Sequence, residues 1–208
     1  MLIGIYSSTS SCGKTTIAKY LEDKHGFVRL SFATPLKNMV GVLLKNLGYT
    51  EELAALALLN KEHPISEVDS RVDVRHLLRT LGTEWGRDCV HPELWLNCWI
   101  HSYTQLKKQG AENVVVDDLR FYNEAQLVDR CGGQLWKVHR LAPTKQNKNH
   151  HRSEGGLDHL PYKTELYPSN NKLCFDKIIS NVGSLEDLHK QINTSIIEIN
   201  NAAQNKTH

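Results

Sequence analysis

The stretch Ser7-Ser8-Thr9-Ser10-Ser11-Cys12-Gly13-Lys14-Thr15-Thr16 leaves few folds open to this chain. It follows an apolar run, Leu2-Ile3-Gly4-Ile5-Tyr6, and leads into Ile17-Ala18-Lys19-Tyr20-Leu21, where apolar residues recur at helical spacing. A strand, a loop of small residues and Gly-Lys-Thr opening a helix form the context of a phosphate-binding loop. Backbone N–H groups of such a loop and the positive end of the helix dipole converge on one anion. Ser11, Cys12, Gly13, Lys14, Thr15 and Thr16 are the residues that would line it. Lys14 adds a mobile charge for the outer phosphates, and the Thr15 hydroxyl can ligate Mg²⁺. The pattern asks for glycine five residues before Gly13, and Ser8 stands there. Serine makes that turn only with negative φ or at the cost of strain. The plainer alternative is a polar strand-to-helix turn with a chance Gly-Lys-Thr.

At 208 residues the chain reads as one domain with a full core and room for an inserted lobe. A net charge of +2 does not support bulk nucleic-acid binding, so any positive field must be local. The 5 cysteines are scattered and lack C-x-x-C spacing, which fits a reducing compartment without a disulfide framework or zinc site. Met1 leads straight into a strand, so no signal peptide is expected, and no apolar run reaches the roughly 20 residues that span a bilayer. The expectation is a soluble cytoplasmic protein.

The first helix should run from Lys14 to the stop at Lys24-His25-Gly26, and Phe27 to Phe32 reads as a second strand. Strand, helix, strand in so short a stretch predicts a parallel sheet. Thr34 is a candidate N-cap before Pro35, with Lys37 in the first helical turn. There Lys37 opposes the helix dipole unless an anion is near, so ligand contact and plain exposure compete evenly. Residues 38–69 carry helical apolar patches broken at Gly48-Tyr49 and His63-Pro64, and read as packing faces. Arg75 to Arg87 spends two glycines, Trp85 and the arginines Arg79 and Arg87 within a few residues. Arginine grips phosphate bidentately and tryptophan offers a face to a base. A helix end with surface charges would explain the arginines but not the glycines flanking an aromatic.

Pro92-Glu93 opens a helix whose Leu94, Trp95, Cys98, Trp99, Tyr103 and Leu106 form a core stripe, ending at Gly110. Asn113-Val114-Val115-Val116-Asp117-Asp118 is an apolar strand ending in two carboxylates, where phosphate-loop enzymes keep the acid that supports Mg²⁺. Asp118 is the candidate and Asp117 its rival. A helix opening at Glu124 reaches Arg130, and Gln134 to Arg140 is a further strand. Residues 141–171 are polar and rich in His, Pro, Gly and Asn, which in so long a segment reads as a lid. His150, His151 and His159 match no defensible metal spacing. Asp176 to Asn181 is a last strand, Ser184 caps a last helix, and the tail from Asn200 should fray.

With these segments in place the chain resembles the deoxynucleoside monophosphate kinases of tailed bacteriophages. The likeness rests on the phosphate loop, Phe32-Ala33-Thr34-Pro35-Leu36-Lys37, Leu81 to Arg87, Asp118 to Glu124, His151-Arg152-Ser153-Glu154 and Asn181-Val182-Gly183-Ser184. Thr34 stands where the family often has aspartate. The resemblance implies an α/β P-loop kinase: a mostly parallel sheet of about five strands with helices on both faces. It also implies a helical acceptor-binding region over 36–110, a lid over 141–171 and a frayed tail over 200–208. It implies ATP as donor, Mg²⁺ as cofactor, a deoxynucleoside monophosphate as acceptor, and the host cytoplasm as location for a phage-encoded protein. On this likeness Lys14, Asp118, Arg140 and Arg152 are catalytic. Asn181 joins the ATP site; Lys37, Arg79, Trp85, Arg87, Arg120, Asn123, Glu124 and His151 hold the acceptor; and Thr15 and Asp118 hold the metal, directly or through water. Neither nucleic acid nor membrane is an implied partner, and the Leu53–Leu59 run offers a face for a homodimer. Two other readings stay open: a P-loop kinase for another small acceptor such as dephospho-coenzyme A, and a non-enzymatic nucleotide-binding module.

Overall fold

A computed structural model describes residues 1–9, 12–140, 156–163 and 173–204. The described chain divides into two compact units, one of residues 1–31 and 105–208, the other of residues 32–104.

The first unit is built on five parallel strands: β1 (Leu2–Tyr6), β2 (Phe27–Arg29), β5 (Asn113–Val116), β6 (Gln134–His139) and β7 (Lys177–Ser180). Their order is β2-β5-β1-β6-β7. Every neighbouring pair is parallel, with Ile3 in register with Val115 on one side and Ile5 with Trp136 on the other. The α/β class and five-stranded parallel sheet expected from the sequence are therefore observed. Strand β1 is central, and all five of its residues are buried, as a strand covered on both faces requires.

Helices α1 (Lys14–His25) and α7 (Leu185–Gln204) cover one face. Ile17, Ala18 and Leu21 of α1 and Leu188, Ile192 and Ile196 of α7 form one core with Ile3, Ile5, Val115, Trp136, Val138 and Ile179. Helix α6 (Tyr122–Arg130) covers the other. Gly4 admits it: a Cβ there would lie 2.5 Å from Leu119 Cδ1 and 3.3 Å from Val128 Cγ1.

The second unit contains α2 (Thr34–Asn46), α3 (Glu51–Leu59), a hairpin of β3 (Pro64–Ile65) with β4 (Asp69–Asp73), and α4 (Val74–Thr80). A π-helix over Leu81–Val90 continues α4, and α5 (Leu94–Lys108) follows. The core of this unit is Val40, Leu44, Ala54, Ala57, Ile65 and Val74.

Several boundaries differ from expectation. Strand β2 stops at Arg29, although the Leu30 N–H still donates to the Val115 carbonyl at 2.9 Å, because Ser31 turns towards the next helix. Thr34 is the first residue of α2, not its cap; Ala33 occupies that position without a side-chain bond. The hairpin was not foreseen, since Asp69-Ser70-Arg71-Val72-Asp73 lacks the alternation of a half-buried strand. Helix α3 buries Ala54 and Ala57 and leaves Leu53, Leu56 and Leu59 exposed. The tail expected to fray from Asn200 continues α7 through Gln204.

Candidate phosphate-binding site

The chain leaves β1 at Ser7, whose hydroxyl donates to the Thr9 carbonyl at 2.7 Å, and Thr9 Oγ1 lies 2.6 Å from Cys12 Sγ. Gly13 then enters the left-handed region at φ 99°, a conformation that costs glycine little and other residues more. Space demands glycine too, since a Cβ would sit 2.4 Å from Asn181 Nδ2. The same Nδ2 donates to the Cys12 carbonyl at 2.8 Å, tying the loop to the end of β7. Asn181 therefore holds the loop backbone, a position the sequence had assigned only to nucleotide contact.

Helix α1 begins at Lys14 with no acidic residue in its first turn, so nothing there competes with an anion for the helix dipole. Thr15 and Thr16 are exposed in that turn. Lys14 Nζ donates to Ser7 Oγ. Its pKa is lowered, first by burial and then by the charge of Arg120, against the opposing pull of Cys12, Asp117 and Asp118. Two cations and two carboxylates thus share one field at the amino end of α1. A lysine at a helix N-terminus, with its proton held loosely, is suited to receive a phosphate.

The two carboxylates differ in their surroundings. Asp117 Oδ1 accepts from Ser31 Oγ at 2.7 Å, and its Oδ2 lies 3.6 Å from Arg29 Nη1. Arg29 in turn pairs with Glu22. Asp117 is thereby engaged across the β5–β2 edge of the sheet. Ser31 and Arg29 were missed by sequence reading, because only the strand order brings β2 beside β5. Asp118 is half-buried one residue further on.

Glu124 is 3% exposed, and its Oε2 accepts the N–H groups of Arg120 at 2.8 Å and Phe121 at 3.1 Å. It fixes the turn from which the exposed Arg120 projects. Asn123 stands half-buried in the first turn of α6.

In the second unit, Lys37 lies in the first turn of α2 and Arg79 is exposed in the last turn of α4. The glycines around Trp85 serve packing: a Cβ on Gly86 would lie 2.4 Å from the Trp95 indole, and one on Gly82 2.7 Å from Leu36 Cδ2. Trp95 Nε1 donates to the Gly82 carbonyl at 2.7 Å. Arg87 is 7% exposed and donates to the Pro92 carbonyl at 3.1 Å. Trp85 is 44% exposed and lines a pocket of about 410 Å³ with Val40, Leu43, Thr80, Glu84 and Cys89.

Arg140 is exposed just past β6. Ser11, His151 and Arg152 lie outside the described residues, as do residues 141–155 and 164–171 of the expected lid. His159 is described, and its ring stacks on Tyr122 at 6.0 Å.

A family model for deoxynucleotide monophosphate kinases matches residues 45–192, which is most of the chain. The chain belongs to the deoxynucleotide monophosphate kinase family. A protein of Acanthamoeba polyphaga mimivirus, provisionally described as a deoxynucleotide monophosphate kinase, is 30% identical over 215 residues, covering 98% of each chain. A dephospho-CoA kinase from Campylobacter jejuni matches 95% of this chain and 96% of its own at 16% identity and a TM-score of 0.47. The family match starts beyond the phosphate loop, so the loop rests on its own geometry. As a member of this family the chain is a nucleotide-binding kinase.

Proposed function

We propose that this kinase transfers the γ-phosphoryl group of ATP to a deoxynucleoside 5′-monophosphate, giving the deoxynucleoside diphosphate and ADP. The observation that carries this reading is the loop between β1 and α1, with Gly13 in the left-handed region, Asn181 bonded to the Cys12 carbonyl and Lys14 turned back to Ser7 at the amino end of α1. Family membership supports a deoxynucleoside monophosphate as the acceptor.

Phosphoryl transfer asks the protein for position and charge more than for covalent chemistry. The N–H groups from Cys12 to Thr16 take the donor phosphates, and Lys14 exchanges Ser7 Oγ for a phosphate oxygen. Arg120 supplies a second positive charge. A monophosphate oxygen is already a nucleophile, so no general base is required. The Thr15 hydroxyl and the Asp118 carboxylate are hard oxygen donors, and this donor set fits Mg²⁺, held directly or through water. When bound, Mg²⁺ neutralises charge on the β- and γ-phosphate oxygens.

On the acceptor side, Lys37, Arg79 and Trp85 are offered as contacts, with Asn123 at the start of α6. Arg87 and Glu124 support these elements through the bonds described above. Arg140 and Arg152 are offered as contacts for the transferring phosphoryl group, and His151 as a further acceptor contact. The test is ADP production with each ribo- and deoxynucleoside monophosphate, and with dephospho-coenzyme A. Turnover with deoxynucleoside monophosphates is expected. Turnover with the coenzyme precursor alone, or with no acceptor, overturns the reading.

A further inference from the structure

Lys137 occupies an unusual place for a lysine. It lies inside β6, between the buried Trp136 and Val138, and its side chain is only 14% exposed. A cation in such a position needs partners. Asp158 Oδ1 lies 2.9 Å from Nζ, and the rings of Tyr6, Tyr162 and Phe175 surround the same nitrogen at 5.7, 5.9 and 5.5 Å to their centroids. Aromatic faces stabilise a desolvated cation electrostatically. Tyr6, which directly precedes the phosphate loop, has its phenol pKa raised by burial first and the Asp158 charge second.

Asp158 belongs to a short strap, residues 156–163. Leu157 and Leu160 are buried and pin its turn, with the Leu160 N–H donating to the Leu157 carbonyl at 3.1 Å. Its far end bridges to the residue just before β7: Lys163 N–H donates to the Phe175 carbonyl and Phe175 N–H to the Pro161 carbonyl, both at 2.9 Å. Its near end meets the turn that carries Arg120. A Cβ on Gly156 would lie 2.5 Å from the Arg120 carbonyl oxygen, and His159 stacks on Tyr122. The strap therefore touches both the sheet beneath the phosphate loop and the turn beside it.

We propose that the Lys137–Asp158 pair is a positioning pair, clamping residues 156–163 to the sheet and through them holding the Arg120 turn against the phosphate loop. For its consequence in catalysis this rests on the phosphoryl-transfer reading above. Glu124 holds the Arg120 and Phe121 amides from within α6, and the strap closes on the same turn from outside. A purely structural ion pair would loosen the sheet when removed. A clamp loosens the turn and leaves the sheet alone.

The test uses the full chain with Lys137→Met, which keeps an apolar stem among the rings, and Asp158→Asn as a second route to the same loss. Amide exchange at Arg120 and Phe121 should quicken about tenfold in both, with the amides of β1 and β5 unchanged. Lys137→Arg should restore the parent rate. In turnover, kcat should fall roughly tenfold while KM for ATP stays within about twofold, and adding either substitution to Arg120→Ala should cost nothing further. Unaltered exchange at Arg120 and Phe121 in both variants overturns the clamp. So does quickening spread evenly over β1 and β5, or a kcat loss that multiplies with that of Arg120→Ala. Should the parent protein phosphorylate no nucleoside monophosphate, the functional reading fails by itself, and exchange at Arg120 and Phe121 still decides the clamp.

Discussion

Lys14 holds its proton less tightly than an exposed lysine because burial and Arg120 both disfavour the charge. Between its depressed pKa and the ordinary 10.5, the unfolded chain binds more protons at this residue than the folded one. Its contribution to the stability of the free protein therefore rises with pH through that window. Bound phosphate reverses the preference by favouring the cation. ATP affinity should accordingly fall as pH rises towards 10.5 from below, and Lys14→Arg, whose charge persists, should flatten that fall. Calorimetric titration at a series of pH values reads this directly. Lys14→Ala should cost about two to four orders of magnitude in kcat with the fold retained, checked by single-turnover assays and circular dichroism. The neighbouring carboxylates should separate in the same way. Asp117→Asn removes the charge that faces Arg29 and weakens the bond accepted from Ser31, and should lower stability by about 1–2 kcal/mol. Asp118→Asn should leave the melting temperature nearly unchanged and reduce turnover. The reverse pattern would make Asp117 the acid that supports the transfer.

The π-helix carries packing that its sequence did not announce: Gly86 admits the Trp95 indole, and Arg87 donates to the Pro92 carbonyl. Gly86→Ala should overpack that contact and destabilise the protein by about 1–3 kcal/mol, measured by denaturant unfolding. Restoring the space with Trp95→Phe should recover little, because it also removes the bond to Gly82. Donor-side elements were far more legible. Apolar runs flanking Gly13-Lys14-Thr15 and ending at Asp117-Asp118 announce buried parallel strands, since each is continuous and short and the first leads directly into a helix. What could not be read was pairing. Nothing in Ser31 or Arg29 points to Asp117, nor in Lys137 to Asp158, because those contacts exist only once strands distant in sequence lie side by side. Polarity misled in the 141–171 segment as well: Leu157 and Leu160 are core residues within an otherwise hydrophilic stretch.

For the whole molecule, the candidate donor site belongs entirely to the first unit, while residues 32–104 form one uninterrupted insertion in its sequence. Saturating ATP with Mg²⁺ should therefore slow amide exchange around Cys12, Lys14 and Asn181 but not in the β3–β4 hairpin, as mass spectrometry of exchanged peptides would record. Protection of the hairpin by ATP alone would place donor contacts in the second unit. The central position of β1 also dictates a timetable. Leu2 to Tyr6 are synthesised well before their neighbours in the sheet, Val114 to Val116 and Gln134 to Lys137. At translation rates of about 5–20 residues per second, a wholly apolar segment waits on the order of ten seconds for either flank to be synthesised. Asn181, which holds the Cys12 carbonyl, arrives later still. A nascent chain halted before that residue would carry every residue of the Gly-Lys-Thr motif without the bond that braces it, and would have to be sheltered from aggregation while it waits.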